Sequence, residues 1–284
     1  MEQKLQVAFQ GEPGAYSEEA SLAIFGTGIE PVPCETFDAV FSGVESGLYD
    51  HGVVPVENSL AGSIHRNYDL LLQHDLHVIA EHNLRVSHCL IGQPGTRIRD
   101  IRRVYSHPQA LAQCEQSLLE LADVQIIATH DTAGSVRIIK ENGERESAAI
   151  ASARAAEIYG MAVLQPEFED ERANYTRFVA IAREPHVPPA DVEAKTSIAF
   201  AGVNQPGLLF RCLSAFALRD IDLTKIESRP LRGVPWQYIF YLDFVGSQQE
   251  ETCRRALDHL REMTTFVRVF GSYPRANATW VEGE

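Results

Sequence analysis

The sequence predicts an α/β chain of two domains, the second a small βαββαβ unit. Three observations carry that reading. From residue 4 to about 183, short β-branched or aromatic runs alternate with apolar stripes of helical period. The stretch Glu184-Pro185-His186-Val187-Pro188-Pro189-Ala190-Asp191 is rich in proline and has no apolar period, as a linker does. Beyond it, six further elements follow in quick succession. A chain of 284 residues is long enough for two domains at about 150 residues each.

The elements are justified in order. Strands are predicted over 5–9, 52–56, 77–90 (one long strand or two), 103–105, 125–128, 148–151 and 178–182, each a run that suits a buried pleated surface. Helices fall between them. Tyr16-Ser17-Glu18-Glu19, Thr36-Phe37-Asp38 and Asp131-Thr132 each place a capping oxygen ahead of an apolar stripe and open a helix. After the linker come a strand at 196–203, a helix at 207–218 and a strand at 223–228. A turn at Arg232-Gly233-Val234-Pro235, a strand at 238–244, a helix at 250–262 and a strand at 266–270 complete the set. That order gives a ferredoxin-like βαββαβ domain, with two helices over one face of an antiparallel sheet. The expected division is a first domain over 1–184, a linker over 185–194, a second domain over 195–273 and a patternless tail over 274–284.

Composition bounds the function. The formal net charge is −14 and no basic patch stands out, which argues against nucleic-acid binding. No apolar run reaches the roughly 18 residues of a membrane span, and the N-terminus enters a strand pattern at once, so neither membrane insertion nor a signal peptide is expected. The five cysteines are odd in number and widely spaced, without a Cys-x-x-Cys pair or histidines at ligand spacing. They read as reduced, buried thiols of a cytoplasmic protein, and neither metal nor cofactor is expected.

Four segments carry polar groups where an α/β fold binds ligands, beyond the carboxyl ends of strands. Gln10 to Ser17 links the first strand to the first helix, and its glycines allow either a plain turn or an anion cradle. Glu57-Asn58-Ser59 follows a strand, as a ligand cluster or as a helix cap. Ser106-His107-Pro108-Gln109 with Gln113 opens another helix, with Gln109 and Gln113 on one face, either a ligand shell or a solvated surface. Asn174-Tyr175-Thr176-Arg177-Phe178 begins the last strand before the linker. Hydroxyls, amides and one guanidinium from these four loops suit a small dicarboxylate better than a hydrolytic triad.

In this order, and followed by a βαββαβ domain, the motifs closely resemble the prephenate dehydratase family from Val7 to about Tyr273. The most specific pieces are Gly14-Ala15-Tyr16-Ser17, Glu57-Asn58-Ser59 with Gly62, Ser106-His107-Pro108-Gln109 with Gln113-Cys114, and Thr176-Arg177-Phe178. The resemblance implies a catalytic domain of two subdomains, similar in fold to periplasmic type-II binding proteins, with the active site in the cleft between them. It also implies a C-terminal regulatory ACT domain that binds phenylalanine. The effector segments would be Asn204-Gln205-Pro206-Gly207-Leu208-Leu209 and Glu227-Ser228-Arg229-Pro230 of a neighbouring subunit in a homodimer or homotetramer. Two positions depart from the family. Only Thr132 and Ala133 remain of a Ser-Thr-Ala run, and Gly207-Leu208-Leu209 replaces Gly-Ala-Leu.

The implied reaction is loss of CO2 and water from prephenate to give phenylpyruvate. By carry-over, Thr176 would hydrogen-bond the leaving hydroxyl and Arg177 would pair with a carboxylate. Ser17, Asn58, Ser59, Ser106, Gln109, Gln113, Thr132 and Phe178 would complete the shell. Two roles are open to Glu57, an acid behind Thr176 or a structural anchor pointing away, and the anchor is favoured because a carboxylate repels a dianion. Arogenate, which carries an amino acid side chain in place of the pyruvyl group, is the nearest alternative substrate. A non-catalytic amino-acid sensor is the rival of another class.

Overall fold

Val7, Ala8 and Phe9 are shielded from solvent on both faces, which makes the first strand a central one. The computed structural model describes residues 4–121, 123–189, 191–231 and 236–276. They fall into two compact units, Met1–Leu70 with His82–Phe178, and Leu71–Glu81 with Val179–Glu284.

The first sheet has β1 (Gln6–Gln10), β2 (Glu30–Cys34), β3 (His51–Asn58), β4 (Gly62–Ser63), β5 (His77–Arg85) and β11 (Tyr175–Ala182). Its order is β2-β1-β3-β11-β5, with β4 on β3, and β1 runs parallel to both neighbours. α1 (Tyr16–Phe25), α2 (Phe37–Glu45) and α3 (His65–Gln73) follow β1, β2 and β4 in the chain. The second sheet has β6 (Cys89–Gly92), β7 (Arg103–Ser106), β8 (Gln125–Ala128), β9 (Ser147–Ala151) and β10 (Ala162–Gln165), in the order β10-β6-β9-β7-β8. Its chain also supplies α4 (Pro108–Gln113), α5 (Glu115–Leu119), α6 (Thr132–Asn142) and α7 (Ala153–Tyr159). Alternation along β6 and β9 fills two cores. Cys89, Ile91, Ala149 and Ala151 pack with α6 and α7, while Leu90, Ala148 and Ile150 pack with Ala110, Cys114 and Leu118.

The second unit holds β12 (Ala194–Ala201), α8 (Leu208–Ala217), β13 (Leu223–Pro230), β14 (Tyr238–Val245), α9 (Glu251–Met263) and β15 (Phe266–Pro274). Its antiparallel sheet runs β13-β14-β12-β15. Ile198, Phe200, Leu242 and Phe244 face the buried sides of the two helices. The segment 71–81 belongs to this unit. Lys195 pairs with Glu81 at 2.7 Å, and Arg268 Nη1 donates to the carbonyl of Leu72 at 3.0 Å. Among the described residues, no helix is long and apolar enough to cross a membrane.

The structure corrects several elements. The 77–90 run is two strands, β5 and β6, the second of the two expected alternatives, whereas β2, β4 and β10 were not expected. Ser17 does not cap α1. The N-cap residue is Ala15, without a side-chain hydrogen bond, and the Glu18 carboxylate instead accepts from Gly14 N–H at 2.5 Å. Thr36 and Asp131 do cap their helices, on Ala39 N–H at 3.2 Å and Gly134 N–H at 2.5 Å. The expected turn at 232–235 and most of the expected tail, 277–284, lie outside the described residues, and β15 continues to Pro274.

Candidate active site

Within the first unit, the carboxyl ends of β1, β3, β7 and β8 open onto a cavity of about 410 Å³. Gln10, Asn58 and His107 stand at or just beyond the first three ends, and His130, Asp131 and Thr132 follow the fourth. The helices that follow three of these strands, α1, α4 and α6, begin on the cavity wall at Tyr16 and Ser17, at His107 and Gln109, and at Asp131 and Thr132. Their N-terminal amides and dipoles favour an anion. Phe37, Pro55, Ile64, Val86 and Phe178 supply an apolar wall.

Thr176 lies beside this wall, 8% exposed, and its hydroxyl oxygen accepts from Asn58 Nδ2 at 3.0 Å. Asn58 is fixed in turn, because its Oδ1 accepts from the backbone N–H groups of Leu60 and Ala61 at 3.1 and 2.9 Å. Its amide nitrogen also donates to Asn174 Oδ1 at 2.7 Å. Asn174 Nδ2 donates to Gln113 Oε1 at 3.1 Å, and the same oxygen lies 2.9 Å from His88 Nε2. His88 Nδ1 is 2.9 Å from the Tyr16 hydroxyl. With its carbonyl so engaged, Gln113 turns its N–H2 group to the cavity. The Thr176 hydroxyl, accepting from Asn58, keeps its own proton to donate. His107 Nδ1 accepts from Gln109 N–H at 3.2 Å, which leaves Nε2–H as a further donor. Burial holds the His88 and His107 imidazoles below the ordinary histidine range, with His130 adding repulsion at His107. Burial also raises the Tyr16 phenol well above its usual value. Apart from the Asp131 carboxylate, which caps α6 on the wall, the site is a shell of neutral donors over an apolar wall, suited to a small anionic molecule with a flat or nearly flat body.

The structure brings together Ser17, Asn58, Gln109, Gln113, Thr132, Thr176 and Phe178 on this cavity. Four expected residues are not on it. Ser106 is fully buried and spends its hydroxyl on the carbonyl of Ile150 at 2.6 Å. Ser59 binds β11, donating to Ala173 O at 3.0 Å and accepting from Tyr175 N–H at 2.9 Å. Arg177 lies between Thr176 and Phe178, and the two-residue period of β11 puts it on the opposite face. No lysine or arginine lines the cavity among the described residues. Glu57 pairs in register with Ser63 and does not line the cavity. Sequence reasoning missed Tyr16, His88, His107, His130, Asp131 and Asn174 as members of the site. Three of them sit inside segments already singled out, at Tyr16, His107 and Asn174, and His130 and Asp131 lie at a helix start. His88 carries no local signal, since its partners are 72 and 25 positions away.

In the second unit, a smaller hollow of about 210 Å³ is lined by Asn204, Gln205, Gly207, Leu208, Leu209 and residues of β14. Pro206 and the β13 residues Glu227, Ser228, Arg229 and Pro230 are not on its lining.

An α/β domain with a polar cavity at its strand ends, followed by a βαββαβ domain, defines the class of fold, and comparison with known proteins gives the family. The sequence model of prephenate dehydratase matches residues 7–186. Arogenate dehydratase 3, chloroplastic, of Arabidopsis thaliana is 49% identical over 97% of this chain and 68% of its own length. Arogenate dehydratase/prephenate dehydratase 2, chloroplastic, of the same plant is also 49% identical, over 95% of this chain and 73% of its own length. Among solved structures, a prephenate dehydratase from Arthrobacter aurescens in complex with L-Phe superposes with a TM-score of 0.88 at 28% identity, covering 96% of this chain and 90% of that one. A protein described as GqqA, a novel type of quorum quenching acylases, gives 0.88 at 36% identity, over 96% and 98%. The chain belongs to the prephenate dehydratase family and is a dehydratase of phenylalanine biosynthesis. The expected cytoplasmic location is overturned by these relatives, both of which are named chloroplastic.

Proposed function

We propose that the chain converts prephenate to phenylpyruvate, CO2 and water in the cavity around Thr176. The observation that carries this is the Thr176 hydroxyl, buried beside an apolar wall and held by Asn58 with its proton free to donate. The ring carboxylate leaves as CO2, its bonding pair enters the ring, and the C4–O bond breaks as the ring becomes aromatic. The departing hydroxide takes up a proton and leaves as water. Thr176 is a weak acid, so its part is to hydrogen-bond the departing oxygen, and solvent makes up the net proton. Gln113 N–H2, the Ser17 and Thr132 hydroxyls and the start of α1 hold the carboxylates, the role Arg177 was expected to fill. An acyl-transfer reading finds no support at Thr176, whose hydroxyl is held by an amide, or at His88, both of whose nitrogens are engaged by Tyr16 and Gln113.

Arogenate is the second reading. The Asp131 carboxylate stands on the cavity wall, where an ammonium group would find a counter-charge, and the relatives are named for that activity. Phenylalanine is proposed as effector at the hollow lined by Asn204, Gln205, Gly207, Leu208 and Leu209, where Gly207 caps α8 with φ +79° and the helix start favours a carboxylate. The bound L-Phe of the Arthrobacter relative supports it. A homodimer or homotetramer remains part of this proposal, with Glu227 to Pro230 contributed across the subunit contact.

The test is a pair of rates, phenylpyruvate from prephenate and phenylalanine from arogenate, each with and without added phenylalanine. Turnover of prephenate, slowed by phenylalanine, is expected. Turnover of arogenate alone would transfer the reading to that substrate, and turnover of neither would leave ligand sensing.

A further inference from the structure

The hydrogen bonds that lead away from Thr176 have a fixed direction, and the direction can be traced to its source. Leu60 and Ala61 N–H groups can only donate, so the Asn58 oxygen faces them and its nitrogen faces Asn174. Asn174 must then offer its oxygen to Asn58 and its nitrogen to Gln113, and Gln113 must offer its oxygen to Asn174. That same oxygen is the atom His88 Nε2 approaches at 2.9 Å. A carbonyl oxygen cannot donate, so Nε2 carries the proton. At the other edge of the ring the Tyr16 hydroxyl has one hydrogen and two neighbours, Ser87 O at 2.7 Å and His88 Nδ1 at 2.9 Å. A neutral ring with Nε2–H must accept at Nδ1, so the one Tyr16 hydrogen is shared between Nδ1 and the carbonyl of Ser87, and the tautomer is assigned from the Gln113 edge. The backbone N–H of His88 donates to Glu169 at 2.7 Å, and the residue is 2% exposed. Its position and its tautomer are thus both fixed.

We propose that His88 is a positioning residue: its Nε2–H gives the Gln113 carbonyl its second hydrogen bond and so holds the Gln113 N–H2 toward the substrate. This rests on the reading of the cavity given above. His88 donates no proton to the reaction, because the chain between it and Thr176 consists of three side-chain amides, which hold geometry and do not relay protons. Without the donor at Nε2, nothing distinguishes the two ends of Gln113 on the histidine side, and an amide turned over would present a carbonyl to an anion.

Three substitutions separate the two edges of the ring. His88→Gln places its amide nitrogen where Nε2 stands, His88→Asn places its own nearer Nδ1, and His88→Leu keeps neither. kcat/KM should fall on the order of 10- to 100-fold in the Leu and Asn variants, as small displacements of a substrate-holding group do. Much of the loss should appear in KM, because Gln113 holds a substrate carboxylate, and the Gln variant should recover most of kcat/KM. The Gln variant should also keep the shape of the wild-type profile with pH, although Tyr16 and Glu169 lie around the ring. Equal kcat/KM in the Gln and Leu variants would overturn the proposal, as would wild-type kcat/KM in the Asn variant or loss of a pH limb in the Gln variant. Nitrogen NMR of histidine-labelled wild-type protein, with the His88 signals assigned by their loss in the Gln variant, gives a second readout that needs no folded Leu or Asn variant. A protonated Nε2 and an unprotonated Nδ1 are expected, and the opposite tautomer would refute the assignment. Thr176→Ala run in parallel keeps the two readings apart, since normal turnover there would remove Thr176 from the chemistry whatever the His88 variants do.

Discussion

Asp131 is the residue on which the arogenate reading depends. It caps α6 through Gly134 N–H and also stands on the cavity wall. Asparagine caps a helix about as well as aspartate, so Asp131→Asn removes the charge and keeps the helix. If an ammonium binds there, kcat/KM for arogenate should fall about 10-fold or more relative to prephenate. An unchanged ratio of the two rates would place the amino group elsewhere. A second expectation concerns acid. Burial lowers the affinity of His88, His107 and His82 for a proton in the folded chain. The unfolded chain therefore binds more protons as the pH falls, and stability present above the ordinary histidine range, near 6.5, is lost on acidification toward the folded values. Urea unfolding between about pH 7 and pH 5 should show this loss, with a shallower slope in His88→Gln; equal slopes would mean His88 contributes nothing to it.

Among elements, the entry to α1 is closely packed against α7. Gly14 sits at φ +91°, its carbonyl accepts from Ser152 Oγ at 2.7 Å, and a Cβ there would lie 2.6 Å from Ala155 Cα. Gly14→Ala should cost about 2–4 kcal/mol, from the left-handed backbone and the clash with α7 together. A lower thermal midpoint would register it, and a midpoint equal to wild type would show that α7 can move aside. The same scale explains which strands escape a reading from sequence. β2 contains Pro31 and Pro33 and is tolerated because it lies at the sheet edge. β10 is a four-residue edge strand, too short to show a period. Helix starts were legible where the capping oxygen is local, at Thr36 and Asp131, and misleading at Ser17, where Glu18 satisfies the preceding Gly14 N–H instead.

At the scale of the whole molecule, each unit was legible as a class because its pattern is periodic: α/β alternation in the first, βαββαβ in the second. The site was legible only in part. Thr176, Asn58, Gln113 and their neighbours follow from motif and loop position, because loops at strand ends must converge in such a fold. Ser106 and Ser59 are off the cavity because their hydroxyls go to the carbonyls of Ile150 and Ala173, 44 and 114 positions away. Arg177 is off it because the strand period separates it from Thr176 and Phe178. The dehydratase reading stands most directly on Thr176, and a single comparison tests it: steady-state conversion of prephenate to phenylpyruvate by the wild-type chain and by Thr176→Ala. Loss of about 100-fold or more in kcat with KM little changed is expected, as for a hydrogen bond made to the departing group. Wild-type turnover by the alanine variant would contradict it.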